Sequence, residues 1–276
     1  MGSFRAELLI LRKYAAYRVL LAITLAVTAL LGYVLPYISY RSSSVDSRRA
    51  TDLADLLPGH TVASLLSAIP FWFGMLALIL GALMFGGEYG WGTLKTTLMQ
   101  QPGRSRLLLA KLAAMGLALA LTLIAVSVIA VACGVPIALA EGADKSLPPA
   151  WDLARGFGAG WLILAVWAML GAMLAVASRG TALAIGLGIM YGLVFEGLLS
   201  GFREQISVLD ALSHAFLRTN AYSLAKPLGA TAEQGGGPGG FSGPFVEAWQ
   251  ALLVLVIYLG IFSGACAVML RRRDVA

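Results

Sequence analysis

Residues 112–135, LAAMGLALALTLIAVSVIAVACGV, contain no charged side chain. The stretch lacks the alternating apolar and polar positions that mark the roughly ten-residue segments of a membrane barrel. A helix rises about 1.5 Å per residue, so about 20 mostly apolar residues cross the roughly 30 Å of bilayer hydrocarbon. This stretch is long enough to do so.

Outward from it, five more segments meet the same length. Spans are expected near 19–39, 61–85, 112–138, 157–178, 181–201 and 245–270. Of the 276 residues, 59% are hydrophobic and 12% charged, against about 25% charged in soluble domains. The charges gather in short clusters between long uncharged runs. The chain therefore reads as one all-α integral membrane domain over 1–276, with the lipid bilayer as its solvent. The first apolar run is longer than the roughly 7–15 residues of a secretory signal core and follows a charged stretch, so it is expected to stay as a span. Cys133 and Cys266 fall inside spans, where buried, inert thiols are the default.

With six spans, both termini and the second and fourth loops share one side. That side holds Arg5, Arg12, Lys13, Arg18, Lys95, Arg104, Arg106, Lys111, Arg179, Arg271, Arg272 and Arg273, or 12 of the 20 Lys and Arg residues. Only Glu7, Glu88 and Asp274 oppose them. The other loops carry eight basic and nine acidic residues. The excess of Lys and Arg in short loops marks the cytoplasmic side, so both termini are expected there. The net charge of +6 is thus a topology signal and argues for no nucleic-acid partner.

Before the first span, Phe4, Leu8, Leu11 and Ala15 recur at helical spacing while Arg5, Arg12 and Lys13 supply charge. An amphipathic helix over 3–17, lying along the inner membrane surface, fits this pattern; so does a plain cytoplasmic start to span one. The loop over 202–244 divides in two. Ile206, Leu209, Leu212, Ala215 and Phe216 suit short helices resting on the outer face. The run GATAEQGGGPGGFSG (229–243) has no lysine after its glycines, so it reads as a linker and not as a phosphate loop.

The second loop, 86–111, is too long for a tight turn. Thr93 can cap a short helix, Leu94, Leu98 and Met99 give it an apolar patch, and Pro102-Gly103 ends it. A helix of that kind, flanked by Lys95 and Arg104, suits a groove on a soluble partner, although an ordinary interfacial loop has the same hydropathy. Glu88, Gly92-Thr93-Leu94-Lys95, Pro102, Ser105-Arg106 and Ala110-Lys111 resemble the signature loop of bacterial ATP-binding-cassette (ABC) exporter permeases of type two. The resemblance extends to AELLILRKYAAYR (6–18), the six-span layout, the helical segment after span five and the terminal RRRDV (271–275).

The resemblance implies a permease subunit of the bacterial cytoplasmic membrane, paired with a second permease, identical or homologous, and with two separate ABC ATPase subunits. It makes 86–111 the cytoplasmic coupling loop, with Glu88, Gly92, Thr93, Leu94, Lys95, Pro102 and Arg106 facing the ATPase. ATP and magnesium would belong to those partners, with no cofactor in this chain. The sequence has no Walker lysine motif and no soluble stretch long enough for a nucleotide domain. G-x-S-x-G and H-E-x-x-H are absent, and His60 and His214 lack metal-ligand spacing. An enzyme is not expected.

Span five carries Ala184, Gly188 and Gly192 at four-residue spacing, which lets another helix approach closely. The resemblance makes this stripe a candidate face for the second permease; packing within one subunit is the alternative. Glu196 is costly in hydrocarbon unless paired or facing water, so it is a candidate for the translocation path, or else it sits near the outer interface. Pro70 can bend span two. A secondary transporter driven by an ion gradient is the competing function, though such folds usually show internal repeats and several intramembrane charges.

Overall fold

The structure, a computed structural model, describes residues 15–42, 53–90, 104–202, 206–231 and 244–272. Among them no strand occurs, and six helices have the length and apolarity to cross a bilayer. Span one is Ala15–Ser42, span two Pro58–Gly87, span three Leu108–Ala140, span four Ala150–Ser178, span five Thr181–Leu199 and span six Ala248–Leu270. The all-α membrane architecture read from hydropathy is the one the chain adopts. The start of span one and the end of span six share one face of the bundle, called the terminal face below; the opposite one is the distal face. The interfacial helix expected over 3–17 lies outside the described residues up to position 14.

Span four begins at Ala150, well before position 157, because the helix continues past the hydrocarbon. Its first turns carry Asp152 and Arg155, which hydropathy excludes but a helix N-terminus in the headgroup region tolerates. Asp144, in the loop before it, accepts hydrogen bonds from the Ser146 hydroxyl at 2.6 Å and the Ser146 N–H at 3.0 Å. These hold its carboxyl below the usual carboxylate range.

Spans two and four form the centre. Their most apolar windows are 67% and 78% buried within the chain, against 33% or less for the other four. Two glycines set how close they come. A Cβ on Gly81 would strike the Ala168 carbonyl, and one on Gly171 the Leu78 carbonyl, so each backbone rests on the other helix's glycine. Lipid tails give no hydrophobic drive to join helices, and such close packing supplies it instead. Beside this crossing, the fully buried Trp167 covers Gly74, where a Cβ would lie 2.6 Å from the indole.

Three spans contain a π turn: Leu30–Val34 in span one, Ile69–Phe73 in span two and Tyr191–Phe195 in span five. The second contains Pro70, whose missing N–H and ring clash with the preceding turn explain why the ladder widens there. Pro70 thus lies in a wide turn near the middle of span two.

Spans four and five meet at the terminal face in a corner of two residues. Arg179 ends span four in the left-handed region at φ 56°, its N–H donating to the Ala175 carbonyl, and Gly180 leads directly into span five. Gly86 of span two lies under this corner, where a Cβ would meet the Thr181 methyl at 2.7 Å.

Candidate functional site

Two polar groupings touch span two, a distal one near its middle and one at its terminal end. The distal one is built around two short helices, α1 (Ser207–Ser213) and α2 (Leu217–Ala225). Helix α1 has Val208 and Leu212 exposed, in keeping with a surface position. Helix α2 does not rest on the surface as expected: eight of its nine residues, including Arg218, Thr219, Asn220 and Ser223, are buried. A polar helix can sink this far only if its end groups and side chains find partners.

Span five supplies the first partner. Helix α2 starts after Phe216 with no side chain of its own as cap. Glu196 reaches across instead: Oε1 accepts the Leu217 N–H at 2.8 Å and Oε2 the Arg218 N–H at 3.1 Å. A carboxylate there satisfies two of the orphan donors of the first turn and opposes the positive end of the helix dipole. The Tyr191 hydroxyl bonds the same carboxylate. In the π turn Tyr191–Phe195, residues five apart align, which is why Tyr191 and Glu196 share a face.

The Arg218 side chain ties α2 to two spans. Its Nη1 donates to the Gly192 carbonyl at 3.3 Å, and its guanidinium lies 5.0 Å from the centre of the Phe71 ring. Its charge also offsets that of Glu196. Phe71 stands in the π turn of span two and Gly192 in that of span five, so one cation bridges both distortions. Further bonds add to the seat: Asn220 Nδ2 to the His214 and Phe216 carbonyls at 2.9 and 2.8 Å, Val246 N–H to Ser223 Oγ at 3.0 Å, and Tyr258 of span six to the Ala215 carbonyl at 2.7 Å, while Thr219 Oγ1 and Asn220 Oδ1 are buried without a hydrogen bond. Burial pushes the Tyr222 phenol above its ordinary range.

The second cluster closes the base of the 86–111 loop. The Lys111 side chain, buried in span three, donates to the Met84 carbonyl of span two at 3.3 Å and lies 5.7 Å from the Phe85 ring centre. The helix running on from span two ends at Gly90, and the one leading into span three begins at Arg104. Glu88 and Arg106 lie in those two helices. Gly92, Thr93, Leu94, Lys95 and Pro102 lie outside the described residues.

The glycine stripe is corrected by the packing. Ala184 is fully buried, a Cβ on Gly188 would meet Leu78 at 2.5 Å, and one on Gly192 would strike Met75. The stripe packs against spans two and four of its own subunit. The outward face of span five is formed instead by Leu183, Leu187, Met190 and Val194, all exposed. Glu196, three residues before the end of span five, is 1% exposed beneath α2. Sequence reasoning missed Arg218 as a site residue and took Lys111 only as part of the signature pattern; for Arg218 the one available signal was that a lone intramembrane carboxylate calls for a polar partner, and Arg203 and Arg218 both lie in the loop after span five.

A family model described as ABC-2 family transporter protein matches residues 9–275. Comparison with curated proteins gives no match. The matched region takes in all six spans, both clusters and the loop between Gly90 and Arg104, and the chain therefore belongs to the ABC-2 transporter family as a membrane permease component of an ABC transporter.

Proposed function

We propose that this permease is the membrane half of an ATP-driven exporter in a bacterial cytoplasmic membrane. It pairs with a second permease and two ATPase subunits that bind ATP and magnesium. Both termini and the 86–111 loop lie in the cytoplasm, so the distal face is the outer one. The concentration of Lys and Arg on the terminal side supports this orientation.

One observation carries the reading: span two runs from the base of the coupling loop to the cap on the far side. At its terminal end the Met84 carbonyl holds Lys111; in its distal half the Phe71 ring receives Arg218 and the Ser67 hydroxyl accepts the Thr231 N–H at 2.9 Å. ATP binding in the partners draws the loop segments together. Spans two and three, clamped by Lys111, then move as one, and that displacement reaches α2 through the π turn at Ile69–Phe73. Switching between a capped and an uncapped outer end requires that nucleotide favour one of the two states by its differential contacts.

The test is reconstitution of the permease with a co-purified soluble ATPase in vesicles. Export that needs ATP and survives collapse of ion gradients supports the reading. Transport by the isolated chain on a proton gradient overturns it.

A further inference from the structure

Between spans two, three and four, in the distal half of the bundle, lies a cavity of about 550 Å³ lined by Leu65, Ile69, Leu123, Val128, Gly156 and Phe157 among others. Gly156 lines it, and the close approach that Gly156 and Gly160 allow to Val62 and Ile69 packs spans two and four together beside it. Its two hydroxyls are spent inside their own segments. Thr61 donates to the Pro58 carbonyl at 2.7 Å and Ser127 to the Leu123 carbonyl at 2.9 Å. A buried water needs about two to four polar partners; these two hydroxyls, their protons committed, could only accept, and the rest of the lining side chains are apolar. The cavity is therefore a place for hydrocarbon.

Its mouth faces sideways. Ile124, Val128 and Leu153 on the rim are 40–60% exposed, and they continue the lipid-facing surface of spans three and four. The volume falls within the roughly 300–1,000 Å³ of small-molecule sites, far more than one protruding side chain would fill. The lipid surface runs unbroken into the cavity, and lipid tails arrive there without leaving an apolar medium. We propose that the cavity holds one acyl chain of a bilayer lipid from the distal leaflet. The chain would lie against Ile69, the first residue of the π turn in span two, and so brace that helix where its hydrogen-bond ladder is widest.

The proposal is tested with the full-length protein in nanodiscs of phosphatidylglycerol and phosphatidylcholine that include a phosphatidylcholine bearing a diazirine near the end of one acyl chain. After illumination, peptide mapping locates the label. The expected result is labelling concentrated at 65–69, 123–131 and 153–157, reduced at least fivefold by Val128→Trp, which fills the mouth, and unchanged by Leu183→Trp on the outward face of span five. Ile124→Phe replaces Val128→Trp should the latter not elute as a monodisperse peak. Even labelling over every lipid-facing helix overturns the proposal, as does cavity labelling that Val128→Trp leaves intact. A cavity free of label but crosslinked to residues 43–52 or to a second copy of the chain overturns it as well.

Discussion

The Glu196 carboxylate accepts the backbone N–H of Arg218 at 3.1 Å across 22 positions of sequence, while the Arg218 side chain turns back to the Gly192 carbonyl one helical turn away on the same span. The two residues close a loop between span five and helix α2 from both directions.

Removing either partner strands the other in a buried site. Glu196→Ala is expected to cost about 3–5 kcal/mol, as broken buried pairs do, and to lower the melting temperature of the detergent-solubilised protein by several degrees. Arg218→Ala should behave alike. The double variant should be less damaged than the sum of the two, with a coupling of about 0.5–3 kcal/mol. Additive losses in thermal melts of the three variants would show that the residues act independently.

The reciprocal contact of spans two and four should be intolerant of bulk. Gly81→Leu and Gly171→Leu place side chains against carbonyl groups, which cannot yield as a rotamer can, so a loss of at least about 1–3 kcal/mol is expected. Size-exclusion profiles should show aggregation or loss of the folded peak. Gly158→Ala, in span four but with nothing near its Cβ position, should be neutral or stabilising by up to about 1 kcal/mol.

Lys111 offers a test of coupling as distinct from folding. Lys111→Met keeps the length of the side chain and its packing on Phe85 but loses the bond to the Met84 carbonyl. In the assembled transporter, the ratio of substrate moved to ATP hydrolysed should fall about tenfold, equivalent to about 1.4 kcal/mol. Lys111→Arg should restore most of it. An unchanged ratio in Lys111→Met would remove this residue from the transmission path.

Reversal of charge in the loop itself, Lys95→Glu or Glu88→Lys, should loosen the ATPase or uncouple hydrolysis from transport. Pull-down of the ATPase and substrate-stimulated hydrolysis are the readouts, and wild-type values in both would exclude these positions from the contact.

Sidedness can be read by labelling. A cysteine at Asp144 should react with a membrane-impermeant maleimide added to intact cells, whereas one at Arg179 should react only after lysis. The reverse pattern would invert the orientation argued from the basic residues.

Hydropathy made the spans legible because every residue immersed in lipid must be apolar whatever it touches; the first turns of span four, with Asp152 and Arg155, lay beyond that rule and were missed. The stripe of Ala184, Gly188 and Gly192 was visible as a close-approach face, but periodicity carries no record of which helix approaches, and the neighbour is span two of the same chain. Glu196 was legible as a group in need of a partner. What it caps was not, since the cap joins a side chain in one helix to backbone N–H groups 21 and 22 positions away, and backbone donors leave no mark in sequence. The sinking of α2 followed from that hidden bond.

The two-residue corner at Arg179-Gly180 sets the kinematics of the bundle. Neither span four nor span five can slide along the membrane normal without dragging the other, and Gly86, wedged under Thr181, enlists span two in the same constraint. Three helices fastened at the terminal face behave as a tripod joined at one apex. Any relative displacement among them must open as an angle, small at the terminal face and growing toward the distal side, where Phe71 and Gly192 hold the Arg218 side chain of α2.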